Sequence, residues 1–248
     1  MINKIKNLKK ILKHEGLKIA VITSLNLLYL IILKYILRKK YFVREIHNYK
    51  MFLDANDPGI SRTLALFGTR EKEHIYILQR ELKEGMVVLD IGANIGYYAL
   101  MEAALVGEQG HIYAVEPSPQ NYLLLNKNVK LNNFEKVIET FQIGISDRIG
   151  DAKLYLASSS NLHTFHPEKY NYTQDNYLSA NVIDVATTTI SDFVKDKKKI
   201  DLIRMDIEGY EIEAFRGMMK ILAEDSFSPK ILFETHRPKY DDKKHSIK

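Results

Sequence analysis

The 248-residue sequence predicts an α/β chain with a doubly wound, mostly parallel sheet. Three observations predict it. From Met86 onward, short apolar runs alternate with helix-length segments, the pattern of strand–helix–strand units. The run Val87–Ile91 opens into a turn spaced Gly92-x-Asn94-x-Gly96, a strand, glycine turn and helix of the kind that binds nucleotides at the mouth of a parallel sheet. The later apolar runs end on polar groups (Glu116, Ser146-Asp147, Asp206-x-Glu208, Glu234), where ligands of open α/β sheets bind.

The elements follow in order. The first 44 residues form a helical arm with a basic start (Lys4 to Lys18), an apolar stretch Ile19–Leu33 and a second basic group, Arg38-Lys39-Lys40. Counted through Leu37, the stretch nears the lower limit of about 17–25 residues for a span. Its apolar residues go nearly all round the helix, and it lacks a small-residue cleavage site. A helix packed on the domain, a single span and a membrane-surface helix all remain open. Residues 45–248 form the second domain. Asn48–Asp54 reads as a strand and Ala55–Gly59 as a turn, followed by helices over Ser61–Phe67 and Glu71–Leu82. The sheet strands are Met86–Ile91, Ile112–Val115, Val137–Ile145, Ile200–Met205 and Lys230–Phe233. Helices run to Leu105, over Pro119–Leu131 and from Tyr210 to Ala223. Strands Ala152–Ala157 and Val182–Ala186 interrupt the alternation. Between them lies a loop with His163, Phe165, His166, Tyr170, Tyr172 and Tyr177; loops of such length are usually functional or disordered.

Composition narrows the function classes. The chain has no cysteine, which excludes disulfides, thiolate metal sites and cysteine nucleophiles. It fits a cytoplasmic location, with membrane association through the arm. The net charge of +5 hides a division. The arm holds eleven Lys/Arg against one acid, Glu15, for +10, and the remainder holds 25 against 30, for −5. A nucleic-acid enzyme usually carries its positive charge on the folded body, so no nucleic-acid partner is expected.

The turn distinguishes two cofactors. A dinucleotide fingerprint needs a third glycine, so that a pyrophosphate can settle on the helix N-terminus. This turn lacks it and has Asp90 two residues before Gly92. A carboxylate there repels a pyrophosphate and suits an ammonium group. S-adenosylmethionine, with its α-amino group, sulfonium and ribose, fits. Glu116, about twenty residues beyond Gly96, is placed to accept from both ribose hydroxyls. The plain alternative is an ordinary tight turn with a solvated Glu116.

These residues resemble a known family. Asp90-Ile-Gly-Ala-Asn-Ile-Gly96, Gly144-Ile-Ser-Asp147, Asp201-Leu-Ile-Arg-Met-Asp-Ile-Glu-Gly209 and Phe233-Glu-Thr-His236 are similar to those of FkbM-type methyltransferases, class I S-adenosylmethionine-dependent enzymes that are mostly O-methyltransferases. Glu71, at its distance from Gly85, also matches. The resemblance covers about Asn48 to Pro238. It implies a Rossmann-like sheet of seven strands with the cofactor across the first two, and a sugar or polyketide hydroxyl as acceptor. A class I sheet ends in an antiparallel hairpin; after Phe233 the sequence offers no segment for one, so an open sheet edge is expected.

The expected cofactor residues are Glu71, Asp90, Gly92, Asn94, Gly96, Glu116, Ser146 and Asp147. Asp147 would accept from the adenine amino group, or else simply start a turn before Arg148. For catalysis, Asp206 or His236 is the expected general base, with Glu208 and Glu234 shaping the acceptor pocket or tuning that base. Glu208 has a second reading, as a cap on the following helix. Asp206, Glu208, Glu234 and His236 have the chemistry of magnesium or manganese ligands, but their spacing is not diagnostic and no metal is assigned. The expected activity is O-methylation of a sugar, glycan, lipid or secondary-metabolite hydroxyl. A non-catalytic cofactor-binding module is the alternative, and a nicotinamide oxidoreductase a further one.

Overall fold

The computed structural model describes residues 2–167, 178–224 and 227–234, with side chains from Leu17 and without those of 178–180. It divides into two compact units, Met1–Arg70 and Glu71–Lys248.

In the first unit, helix α1 (Ile2–Ile31) runs into a π-helical turn, Ile32–Ile36, followed by β1 (Tyr41–Ile46), β2 (Tyr49–Asp54) and α2 (Ile60–Phe67). Strand β1 was not expected; it pairs antiparallel with β2, from Tyr41 opposite Asp54 to Ile46 opposite Tyr49. Met51 and Leu53 are fully buried, and Val43 is exposed, the period-two alternation of a half-buried hairpin. One side of α1 is packed: Ala20, Thr23 and Leu33 are buried. Asn26 Nδ2 donates to Leu66 O on α2 at 2.8 Å, and Tyr29 meets Phe42 edge-on at 6.3 Å.

The second unit opens with α3 (Lys72–Glu81), β3 (Val87–Ile91), α4 (Tyr97–Val106), β4 (His111–Val115), α5 (Pro119–Leu131) and β5 (Ile138–Phe141). After β6 (Gly144–Ile145), β7 (Gly150–Ala157), β8 (Leu178–Thr188) and α6 (Ile190–Phe193) come β9 (Leu202–Met205), α7 (Glu211–Leu222) and β10 (Lys230–Phe233). Five strands form a parallel sheet in the order β10-β9-β3-β4-β5. Strand β3 is central and buried along its whole length, as expected of a parallel strand covered on both faces. The chain runs outward from β3 through β4 to β5 and later returns to β9 on the other side of β3. That reversal opens a crevice at the carboxyl ends of β3 and its neighbours. Val87, Leu89 and Ile91 pack with Tyr113, Phe193, Ile203, Met205 and Met218 on one face; Val88 and Asp90 alternate onto the other.

Two expectations change. The segment Val137–Ile145 is not one strand: β5 ends at Phe141, and β6 pairs parallel with β8 in a separate three-stranded sheet, β6-β8-β7. The parallel sheet has five strands among the described residues, where the resemblance implied seven. The expected absence of a C-terminal hairpin concerns residues beyond Glu234, which lie outside the described ones.

Candidate functional site: a carboxylate-lined cleft at the sheet switch point

At the carboxyl ends of β3, β4 and β9 the structure has an open cleft, the place where ligands of open α/β sheets bind. Its floor is the turn after β3. Gly92 N and Ala93 N donate to Val115 O at 2.9 and 3.0 Å, locking the turn to the end of β4. Gly92 has φ +82°, and a Cβ there would lie 2.1 Å from Asp206 O. Only glycine allows this conformation and this approach together. Gly96, φ +90°, precedes α4, and its missing Cβ would meet Leu125 Cδ1 at 2.9 Å. Asn94 is left-handed, φ +52°, which asparagine tolerates better than most residues. Its N–H donates to Glu116 Oε2 at 2.9 Å and its side chain to Ser160 O at 3.0 Å.

Glu116 stands where the sequence puts it, at the end of β4 in the cleft wall. It is buried and accepts from Ser118 N at 2.9 Å and Asn121 Nδ2 at 3.4 Å as well as from Asn94. Burial pushes its carboxyl up to about 7, against these hydrogen bonds, which pull it down. Asn121 also donates to Ser160 O at 2.9 Å, so Asn94 and Asn121 together tie the loop after β7 over the turn. Asn121 and Ser160 carry no motif, and the sequence did not mark them.

Asp206 and Glu208 line the opposite wall, with His163 and Phe165 from the loop. Asp206 Oδ1 has no hydrogen-bond partner, and Oδ2 is 3.5 Å from Arg204 Nη2. Glu208 is left-handed, φ +54°, a conformation that costs a glutamate about 1–3 kcal/mol and is concentrated at functional sites. Thr164 Oγ1 donates to its carbonyl at 3.3 Å. A second carboxylate binds the loop before α7. Glu211 Oε1 accepts from Ile207 N at 3.3 Å and Gly209 N at 3.1 Å, as a first-turn carboxylate does. Three carboxylates therefore line the cleft, and among the described residues no lysine or arginine does.

Of the eight expected cofactor residues, Gly92, Asn94 and Glu116 line the cleft; Gly96 ends the turn, and Glu71, Asp90, Ser146 and Asp147 stand elsewhere. Asp90 faces away from the cleft. It is fully buried, and Arg204 Nη1 donates to its Oδ1 at 2.7 Å. The two are partners across the β3–β9 ladder and so share a face of the sheet. Burial lowers the Arg204 guanidinium, and Asp90 and Asp206 more than restore it, holding it above its ordinary value. Arg204 also lies 3.9 Å over the Tyr98 ring. Behind them Glu102 is fully buried with neither oxygen hydrogen-bonded. Burial, with the charge of Asp90 adding, pushes its carboxyl well above the carboxylate range.

Glu71, left-handed at φ +46°, is also outside the cleft. Tyr98 Oη donates to its Oε2 at 2.6 Å, and His74 Nδ1 lies 3.6 Å from the same oxygen. Ser146 is buried, 3.1 Å from Tyr210 Oη, and donates to Asp147 Oδ1 at 3.1 Å. Neither lines the cleft. Gly217 explains why: a Cβ on it would lie 2.1 Å from Ser146 O, so α7 is pressed against this segment. Glu234, beyond β10, groups with Glu71 and His74 rather than with Glu208. His236, Tyr170, Tyr172 and Tyr177 lie outside the described residues.

Comparison with known proteins gives this cleft its setting. The family model of the methyltransferase FkbM domain matches residues 90–247, and that of protein-L-isoaspartate(D-aspartate) O-methyltransferase matches residues 31–148. Methyltransferase sdnD of Sordaria araneosa is 27% identical over 186 residues, 64% of this chain and 71% of the relative. Hexuronic acid methyltransferase AglP of Haloferax volcanii is 22% identical over 169 residues, 67% of this chain and 62% of the relative. Among solved structures, methyltransferase FkbM from Methylobacillus flagellatus aligns at 17% identity and a TM-score of 0.41, covering 69% of this chain and 41% of that one. The FkbM match takes in the glycine turn, Glu116 and the Asp206–Glu208 wall, well over half of the chain, and this chain belongs to the FkbM methyltransferase family.

Proposed function

We propose that the chain is an S-adenosylmethionine-dependent O-methyltransferase. The observation that carries this reading is the cleft lining: Glu116, Asp206 and Glu208, with no lysine or arginine among the described residues. Such a wall repels the pyrophosphate of a dinucleotide and suits a donor with a sulfonium and an ammonium. It now carries the argument that Asp90 was expected to carry. Glu116 would take the ribose hydroxyls, beside the Asn94 and Asn121 amides that hold it in place. Bound there, the cofactor supplies a methyl group on a good leaving group. The chain's own residues align the acceptor and remove its proton. Asp206 is the proposed general base, because it is a carboxylate that lines the cleft. Glu208 would shape the acceptor pocket. The acceptor class is a sugar, glycan, lipid or secondary-metabolite hydroxyl. The printed name of the Haloferax relative, a hexuronic acid methyltransferase, supports the sugar end of that range. The −5 charge outside the arm supports acceptors other than nucleic acid.

Calorimetry with S-adenosylhomocysteine and NAD(H), followed by labelled-methyl transfer into glycan and lipid extracts, tests the reading. S-adenosylhomocysteine binding, no NAD(H) response and a labelled methyl ether product are expected. Asp206→Asn should lower turnover by roughly 10²–10⁴-fold, the usual share of a general base, with analogue affinity within about threefold of wild type. NAD(H) binding would replace the reading by an oxidoreductase, and analogue binding without transfer into any extract by a binding module.

We further infer that α1 rests on a membrane surface, on the cytoplasmic face, where anionic lipids concentrate. The stretch Leu17–Ile36 has 20 residues, a mean hydropathy of 2.0 and 17% of its most apolar part buried within the protein. Leu17, Val21, Leu25, Leu28 and Ile36 are 49–69% exposed, spaced for one helix face. The opposite side packs on α2 and the β1–β2 hairpin, which supports an in-plane helix over a span. Arg38-Lys39-Lys40 at its end suit anionic headgroups.

A further inference from the structure

We propose that Glu71, His74 and Glu234 form a divalent-cation site. The residues converge from separate elements: Glu71 precedes α3, His74 is in its first turn, and Glu234 follows β10. One ligand atom from each lies within 4.8 Å of the others. Three ligands about 2.0–2.2 Å from one cation lie about 3–4 Å apart, so closing the set takes side-chain shifts of up to about 1 Å.

The individual contacts favour the same reading. His74 Nδ1 is sealed from solvent and has no hydrogen-bond partner. At 3.6 Å from Glu71 Oε2 it is beyond a good hydrogen bond and within the spacing of two ligands on one metal. Tyr98 Oη, donating to that same oxygen at 2.6 Å, orients Glu71 as supporting hydrogen bonds orient metal ligands. Two carboxylate oxygens and one imidazole suit a first-row cation such as manganese. Three protein ligands leave positions open for water or an acceptor oxygen. A chain of contacts joins the site to the cleft wall, from Glu71 through Tyr98 to Arg204 and on to Asp206. The set differs from the one the sequence suggested: it keeps Glu234 and takes its other members from the start of α3 and the residue before it.

Manganese is the probe. The full chain, freed of metal by a chelator, is titrated with Mn²⁺ by electron paramagnetic resonance, without cofactor or acceptor. Failure of the methyl-transfer reading therefore leaves the result standing, and failure here leaves that reading standing. One equivalent is expected to bind. His74→Ala and Glu234→Gln should each weaken binding by about tenfold or more, whereas Asp184→Asn, at an exposed carboxylate on β8, should leave it unchanged. A second measurement guards against a misfolded variant: Mn²⁺ should broaden the His74 ring resonances of the wild-type protein selectively. The proposal is overturned if no saturable binding occurs, if His74→Ala and Glu234→Gln both keep it, or if the His74 signals stay sharp.

Discussion

Glu116 and Asp90 are acidic residues at the ends of adjacent strands, and the fold gives them opposite surroundings. Asp90 alternates onto the sheet face that Arg204 occupies. Glu116, one residue beyond β4, turns into the cleft and is pushed up to about 7 by burial. Ribose hydroxyls donate to the ionised form, so cofactor affinity should rise with pH through that value. Between pH 6 and 8 the ionised fraction grows about tenfold, and the dissociation constant of S-adenosylhomocysteine should fall about tenfold over the same interval. Glu116→Gln should bind weakly with a flat profile, and a flat profile in the wild type would remove Glu116 from the ribose contact. Glu102 gives a stability counterpart. Its folded value is raised, so the unfolded chain releases its proton first and stability is lost as pH rises above the ordinary carboxylate range. Glu102→Gln should make denaturant stability less dependent on pH above that range and higher than wild type at pH 7. The sequence held a clue to the Asp90 pairing that residue spacing alone did not yield. In Leu202-Ile203-Arg204-Met205 an arginine interrupts a buried strand, and a buried guanidinium needs a carboxylate on its own face.

At the scale of elements, the turn after β3 shows what a glycine-spaced motif encodes and what it omits. Gly85 and Gly92 both have φ +82°, but a Cβ on Gly85 meets nothing within 4 Å, whereas one on Gly92 meets Asp206 O at 2.1 Å. Gly85→Ala should therefore cost only backbone strain, about 1–2 kcal/mol. Gly92→Ala adds a backbone clash and should cost about 1–3 kcal/mol more, measured as the difference in urea unfolding. It should also weaken cofactor binding by displacing the turn. Equal losses for the two variants would show that the close approach does not constrain the site. The parallel sheet was legible because each buried strand is a continuous apolar run punctuated by a turn. The second sheet was not. The separation of β5 from β6 depends on the pairing of Gly144 and Ile145 with Thr187 and Thr188, a contact between segments more than forty residues apart that no local pattern records. Asn121 and Ser160 escaped notice for the same reason: their roles come from where α5 and the loop meet.

For the molecule as a whole, the division of charge coincides with the two compact units. Residues 1–70 carry the same +10 as the arm alone, and 71–248 carry −5. The composition was readable in the sequence; the packed side of α1 was not, because its apolar residues go nearly all round and only tertiary contacts select Ala20, Thr23 and Leu33 for burial. That selection affects how attachment should be tested. Deleting the arm strips α2 and the hairpin of their partner and confuses unfolding with release. Leu25→Glu and Leu28→Glu alter the outer face alone, where these residues are 62% and 54% exposed. Fully burying a leucine in an apolar phase is worth about 1.5–3 kcal/mol, and a charge there opposes insertion. The double variant should thus lose tenfold or more in affinity for vesicles containing anionic lipid, with its thermal unfolding and its S-adenosylhomocysteine affinity unchanged. An in-plane helix is also predicted to leave membranes in alkaline carbonate, which strips surface-bound proteins. Retention in carbonate would replace the in-plane helix by a span, and vesicle binding unaffected by the two glutamates would remove the membrane from the account of α1.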